Sequence, residues 1–142
     1  MAKEKSNATE TRPIPVLVLW KSILMVPLIG IIDSKYAQDI MEAVLEKILN
    51  TESKVIILDI LGVRIIDSAV ANHMIKITKA TKLMGCDCII TGITPSISQS
   101  FVILGVDLGA VLTSSNLKNG LEKAFNILDL EVREIKKLIV KK

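Results

Sequence analysis

The chain alternates between short runs in which nearly every residue is apolar and longer stretches in which apolar residues return every three or four positions. The short runs are VLVLW (16–20), ILMVPLIGII (23–32), KVIILDI (54–60) and CDCIITGI (86–93), and their length and Val/Ile content predict strands. KVIILDI has almost no polar interruption, which predicts a strand covered on both faces. Lys21 and Ser22 separate the first two runs and predict a hairpin, although neither is the Gly or Asn that favours such turns. Pro27 has no N–H to give to a ladder, so it predicts an edge or a bulge.

Between Lys35 and Asn50 the apolar positions Ala37, Ile40, Met41, Val44 and Ile48 form one helical stripe. A second helix is expected from about Ser68 to Met84, with Val70, Met74, Ile77, Thr81 and Met84 inward and Lys76, Lys79 and Lys82 outward. Thr94 followed by Pro95 predicts the start of a short helix reaching about Leu104, because proline at the first helical position gives up a hydrogen bond that would be unmade anyway. A short strand is expected near Ala110 to Leu112. Ser114 or Ser115 is then expected to cap a helix carrying Leu117, Leu121, Ala124, Phe125 and Leu128 on one face. Gly120 inside that helix costs about 1 kcal/mol relative to Ala.

After the hairpin the order is helix, strand, helix, strand, helix, strand, helix. The alternation predicts an α/β fold, a mixed but mostly parallel sheet joined by right-handed crossovers and packed with about four helices. Residues 1–13 are polar and lack periodicity, which predicts a flexible tail. The domain is expected over 14–128. Residues 129–142 form a charged, amphipathic extension in which Leu128, Val132, Ile135 and Ile139 keep helical spacing, so the last helix is expected either to continue or to dock on a partner.

Composition narrows the function. The 142 residues suit one domain with one core. Only Trp20, Tyr36, Phe101 and Phe125 are aromatic, so the core must be aliphatic and base stacking has little to work with. The net charge of +3 is a mild excess that does not argue for nucleic acid. The polar N-terminal residues lack the apolar core of a signal peptide, and with two cysteines they predict a cytoplasmic, reduced protein. The one candidate membrane span, 14–32, carries Lys21 near its centre, at a cost of about 2.5–3.5 kcal/mol, and is interrupted by Pro15 and Pro27. No membrane association is expected.

Asp67, Ser68 and His73 lie within seven residues and invite a hydrolase reading. On a helix, however, positions five apart are about 140° around the axis, so Ser68 and His73 do not share a face. There is one histidine in the chain and no Gly-x-Ser-x-Gly elbow, which leaves His73 as a partly buried packing residue. Cys86 and Cys88 share a strand face but lack the further ligands of a zinc site, so they read as packing residues and no metal is expected. The helix start at Thr94 could accept an anion but has no glycine-rich cradle, and no cofactor is expected.

Two Asp-Ser pairs remain, Asp33-Ser34 and Asp67-Ser68, each at a helix start. They read as N-caps. Capping is compatible with modification: a phosphoserine would add about 1.5–2 negative charges, which a helix N-terminus tolerates.

These features together are familiar. VIILDILGVRIIDSAVANHMIKI, with a strand ending in Asp59, a loop through Gly62 and Val63, and Asp67-Ser68 opening a helix, resembles the STAS domain (sulfate transporter and anti-sigma-factor antagonist). VPLIGIIDSKYAQDIME and LMGCDCIITGITPSISQSFVILGVDL are similar to the C-terminal domain of RsbR-type stressosome proteins. The resemblance covers about residues 14–128. It implies a non-enzymatic protein that sequesters an RsbT-type serine/threonine kinase, with Ser34 and Ser68 as phosphoacceptors and Asp33 and Asp67 as the acids preceding them. The implied partners are that kinase, an RsbS-type STAS scaffold and further copies of the chain within a large assembly.

Two departures stand out. RsbR-type proteins usually carry an N-terminal sensor domain, whereas here about 15 residues precede the first strand, and both sites are Ser where Thr is common. A passive RsbS-like scaffold, or a STAS module binding a nucleotide or small anion near Thr94, are the alternatives. The cytosolic domain of an anion transporter would need a membrane segment.

Overall fold

The computed structural model describes residues 13–109 and 111–136. Strands β1 (Leu17–Trp20), β2 (Ile23–Gly30), β3 (Val55–Val63), β4 (Asp87–Thr91) and β5 (Leu112–Thr113) form one sheet in the order β1-β2-β3-β4-β5. The β1–β2 hairpin is antiparallel and the other three ladders are parallel. Helices α1 (Ser34–Thr51), α2 (Ser68–Leu83), α3 (Pro95–Leu104) and α4 (Leu117–Ile127) alternate with the strands as the spacing predicts.

The strand period of two assigns side chains to two layers. Leu24, Val26 and Leu28 of β2, Ile56, Leu58 and Ile60 of β3, and Cys88 and Ile90 of β4 face the buried stripes of α1, α2 and α3. Ile23, Val55, Ile57 and Ile89 face Ala124 and Phe125 of α4. β3 is thus buried on both faces over its first half, and each fully buried aliphatic side chain contributes about 1.5–3 kcal/mol.

Three irregular sequence features find their causes here. The hairpin closes without glycine because Ser22 itself adopts φ 68°, and its carbonyl is held by the N–H groups of Lys54 and Val55 at 3.0 and 3.1 Å. Pro27 sits at a bulge, where the β2–β3 register shifts between Pro27 and Ile29. Gly120 is not merely a weak helix former: a Cβ at that position would overlap Thr91 Cγ2, so its absence lets α4 lie close on the sheet.

Several expectations are corrected. β3 continues to Val63, because Ile29 and Gly30 of β2 pair with Gly62 and Val63, so Gly62 and Val63 are strand rather than loop. Met84 leaves the inner stripe: α2 ends at Leu83, and Met84 is its C-cap and 40% exposed. The last strand is Leu112–Thr113, beginning two residues and ending one residue later than expected, and Ala110 lies outside the described residues. The cap of α4 is Asn116, whose side chain accepts from the Asn119 N–H at 2.8 Å, while the Ser114 N–H bonds the Ile90 carbonyl beside β5.

The helix does not continue into the extension. Asp129 turns to φ 61° and the Leu130 N–H bonds back to the Phe125 carbonyl at 2.8 Å, a Schellman-type closure that stops α4, and residues 130–136 form no helix. Ile139 and the expected tail over residues 1–12 lie outside the described residues.

Candidate functional site

The parallel pairing of β2 and β3 brings their C-terminal ends side by side, and the Arg64 N–H donates to the Gly30 carbonyl at 3.1 Å. The loops leaving these strands therefore start α1 and α2 on the same edge of the sheet. At each start the acid is the cap. The Asp33 carboxylate accepts from the Tyr36 N–H at 2.7 Å, and that of Asp67 from the Val70 N–H at 2.8 Å. Ser34 and Ser68 are the first helical residues; both are exposed, and neither hydroxyl is used in capping.

This division of labour has a measurable consequence. Asp67→Ala is expected to lower unfolding free energy by about 1 kcal/mol, the usual value of such a cap. Ser68→Ala is expected to stay within about 0.5 kcal/mol, as exposed substitutions do. Urea denaturation of both variants checks this, and equal losses would mean that the serine has a structural task.

His73 lies on α2, partly buried as expected, and Ser68 is not its partner. Its Nε2 is 3.3 Å from Ser34 Oγ, thirty-nine residues away in sequence. The sequence carries no signal for this contact, since it depends on how α1 packs against α2. On the same edge Ile29, Ile31, Leu61 and Ile65 are 57–65% exposed, an apolar rim beside the two helix starts.

The remaining candidates resolve into structural roles. The Thr94 side chain accepts from the Ile97 N–H at 3.2 Å, so it caps α3. Cys86 and Cys88 are free and buried in the same core layer. Burial, with the Asp87 charge adding to it, pushes the Cys86 thiol up to about 12, and burial raises Cys88 as well. Below about pH 9 the thiols are protonated in both folded and unfolded chains. Above it the unfolded chain ionises first. Stability is therefore expected to fall as pH rises from about 9 toward about 12. Urea midpoints between pH 8 and pH 10.5, wild type against Cys86→Ala, check the sign; an unchanged slope in the variant would contradict it.

A groove of about 1040 Å³ opens beside Ser68, between α2 and the segment that follows α3, with Asn72, Lys79, Lys82 and Val106 among its walls. Lys82 is already paired with Asp87 at 2.7 Å. No helix among the described residues is long and apolar enough to cross a membrane.

The mixed five-stranded sheet carries three helices on one face and one on the other, with the acid-capped helix starts at Ser34 and Ser68 on one edge. The STAS domain profile matches residues 15–124, and the chain belongs to that family. Within it, the chain is similar to RsbT co-antagonist proteins of Bacillus subtilis. It is 36% identical to RsbRA over 118 residues, covering 83% of this chain and 43% of that protein. It is 40% identical to RsbRD over 114 residues, 80% of this chain and 41% of that protein. The chain thus spans about two fifths of the length of these curated relatives. Among solved structures, an RsbS variant from Moorella thermoacetica superposes with a TM-score of 0.70 at 24% identity, covering 84% of this chain and all of that one, and shares the fold.

Proposed function

We propose that this chain is the assembly and switch domain of a stressosome-like complex in the cytoplasm. In this reading it catalyses nothing. It pairs with an RsbS-type STAS scaffold and further copies of itself, holds an RsbT-type serine/threonine kinase, and releases it when Ser34 and Ser68 are phosphorylated. The observation that carries the reading is the shared edge: two exposed serines, each freed from capping by its own aspartate, stand at neighbouring helix starts beside an apolar rim. The similarity to RsbT co-antagonist proteins supports it.

The physics of the switch is local. Each phosphate would add about 1.5–2 negative charges next to an aspartate. The helix macrodipole tolerates that charge, so the fold survives while the surface presented to the kinase becomes much more negative. The test is binding of the cognate kinase to wild type and to the Ser34→Asp/Ser68→Asp double variant, with mass spectrometric mapping of phosphate after incubation with kinase and ATP. Tenfold or weaker retention by the double variant, and phosphate on both serines, are expected. Unchanged binding would refute the switch.

The groove beside Ser68 favours a second reading, a module that binds a nucleotide or small anion there rather than near Thr94. Calorimetric titration with ATP and GTP separates the two, because the scaffold reading expects no saturable heat.

A further inference from the structure

His73 is the one histidine of the chain, and it stands against one of the two serines only. Along α2 it is five residues from Ser68, about 7.5 Å in rise and 140° around the axis, so its ring turns away from that serine. Across the α1–α2 packing its Nε2 lies 3.3 Å from Ser34 Oγ. Ser68 has no side-chain partner among the described residues. The two Asp-Ser starts, near-identical in sequence and in capping, therefore differ in what their serines meet: Ser34 meets an imidazole, whereas Ser68 stands at the edge of the groove beside α2.

A neutral imidazole nitrogen accepts a hydroxyl proton, whereas a protonated one donates to an anion. One side chain can therefore partner the serine before and after modification. We infer that His73 is the positioning residue for Ser34: it orients the hydroxyl in the unmodified chain and receives the phosphate once it is attached. The inference rests on the phosphorylation reading above for its occasion. In that step the kinase's nucleoside triphosphate loses its terminal phosphoryl group. The bond from the bridging oxygen to that phosphorus breaks, the Oγ–P bond forms, the Oγ–H proton leaves to solvent, and the nucleoside diphosphate departs. The phosphate on Oγ then has an Nε2–H donor within reach on the neighbouring helix, which ties the start of α1 to α2. A phosphate on Ser68 has no imidazole beside it, since the chain's one histidine stands against Ser34. Ser34 is thus the site whose modification is felt within the domain, and Ser68 the site whose charge is presented outward.

The experiment uses the full chain labelled with ¹⁵N-histidine, which gives a single pair of ring resonances. Three forms are compared: unmodified, with phosphoserine installed at position 34 during translation, and with phosphoserine installed at position 68. The Nε2 resonance is expected to move in the second form and to hold its position in the third. An unmoved resonance with phosphate at 34, or an equal movement with phosphate at 68, would overturn the inference. In a parallel kinase assay His73→Ala is expected to lower phosphate occupancy at Ser34 about two- to fivefold, the range given by an exposed charged pair, with Ser68 on the same chain unchanged as the internal reference. His73→Gln, which keeps a hydrogen-bonding amide, is expected to restore part of it. Equal losses at both serines would assign His73 a merely structural role. A kinase that modifies neither serine would refute the functional reading, while the installed-phosphate spectra would still decide the contact.

Discussion

Leu58→Ala is expected to lower the unfolding free energy by about 2–5 kcal/mol, a large part of the ~5–15 kcal/mol that holds a domain together. Leu58 lies in the middle of β3, the central strand, and is fully buried. Its strand neighbours are Val26 on β2 and Ile90 on β4, both almost completely buried, and the helices of the larger layer close over it. Parallel ladders on both sides hold the backbone, so little can move into the space left by the lost atoms. Leu61→Ala, three residues on in the same strand, is the control. Leu61 is 65% exposed, and its truncation is expected to stay within about 0.5 kcal/mol. Urea midpoints of the two variants check the contrast; a loss below about 1 kcal/mol at Leu58 would mean that the core collapses onto the cavity.

Gly92→Ala is expected to cost about as much for a different reason. Gly92 follows β4 with φ +80°, a left-handed conformation that costs an alanine about 1–2 kcal/mol. A Cβ there would also lie 2.6 Å from the Leu61 nitrogen and 2.9 Å from Asp59 Oδ1. The first of these atoms is backbone in the central strand. The second is fixed by the Thr91 hydroxyl, which donates to it at 2.6 Å. Neither can yield cheaply, and overpacking of this kind adds about 1–3 kcal/mol. Because β3 leads directly into the loop before Ser68, the strain is expected to reach the site: slower phosphorylation of Ser68 should accompany a lowered thermal midpoint. A variant as stable as wild type would show that β4 can be displaced from β3 at little cost.

The elements legible in the sequence were those set by periodicity. The buried strand at Val55, the stripes of α1 and α2, and the Thr94-Pro95 start each follow from residues a few positions apart, and the alternation of elements fixed the sheet as mostly parallel. The misreadings came from long-range pairing or local competition. Gly62 and Val63 are strand because β2 is there to pair with them. Asn116 rather than either serine is the cap because the helix starts at Leu117, which leaves Ser114 and Ser115 upstream of the cap position. The amphipathic spacing after Leu128 suggested more helix, but a left-handed Asp129 ended it. At the site, the two serines and their acids were visible as repeated dipeptides. Capping by each pair was legible too, but not that the acid rather than the serine is the cap, nor the contact of His73 with Ser34, since the first needs side-chain geometry and the second needs the packing of two helices.

The Trp20 ring meets that of Phe125 edge-on, with centroids 5.4 Å apart. Trp20 is the chain's one tryptophan, on the first strand, and Phe125 is on the last helix. Its emission therefore reports on a single event, the closing of the N-terminal hairpin against the C-terminal helix. A melt followed by fluorescence watches the seam where the two ends of the domain meet, whereas circular dichroism averages over all four helices. Coincidence of the two curves would establish that the seam and the body of the sheet open together.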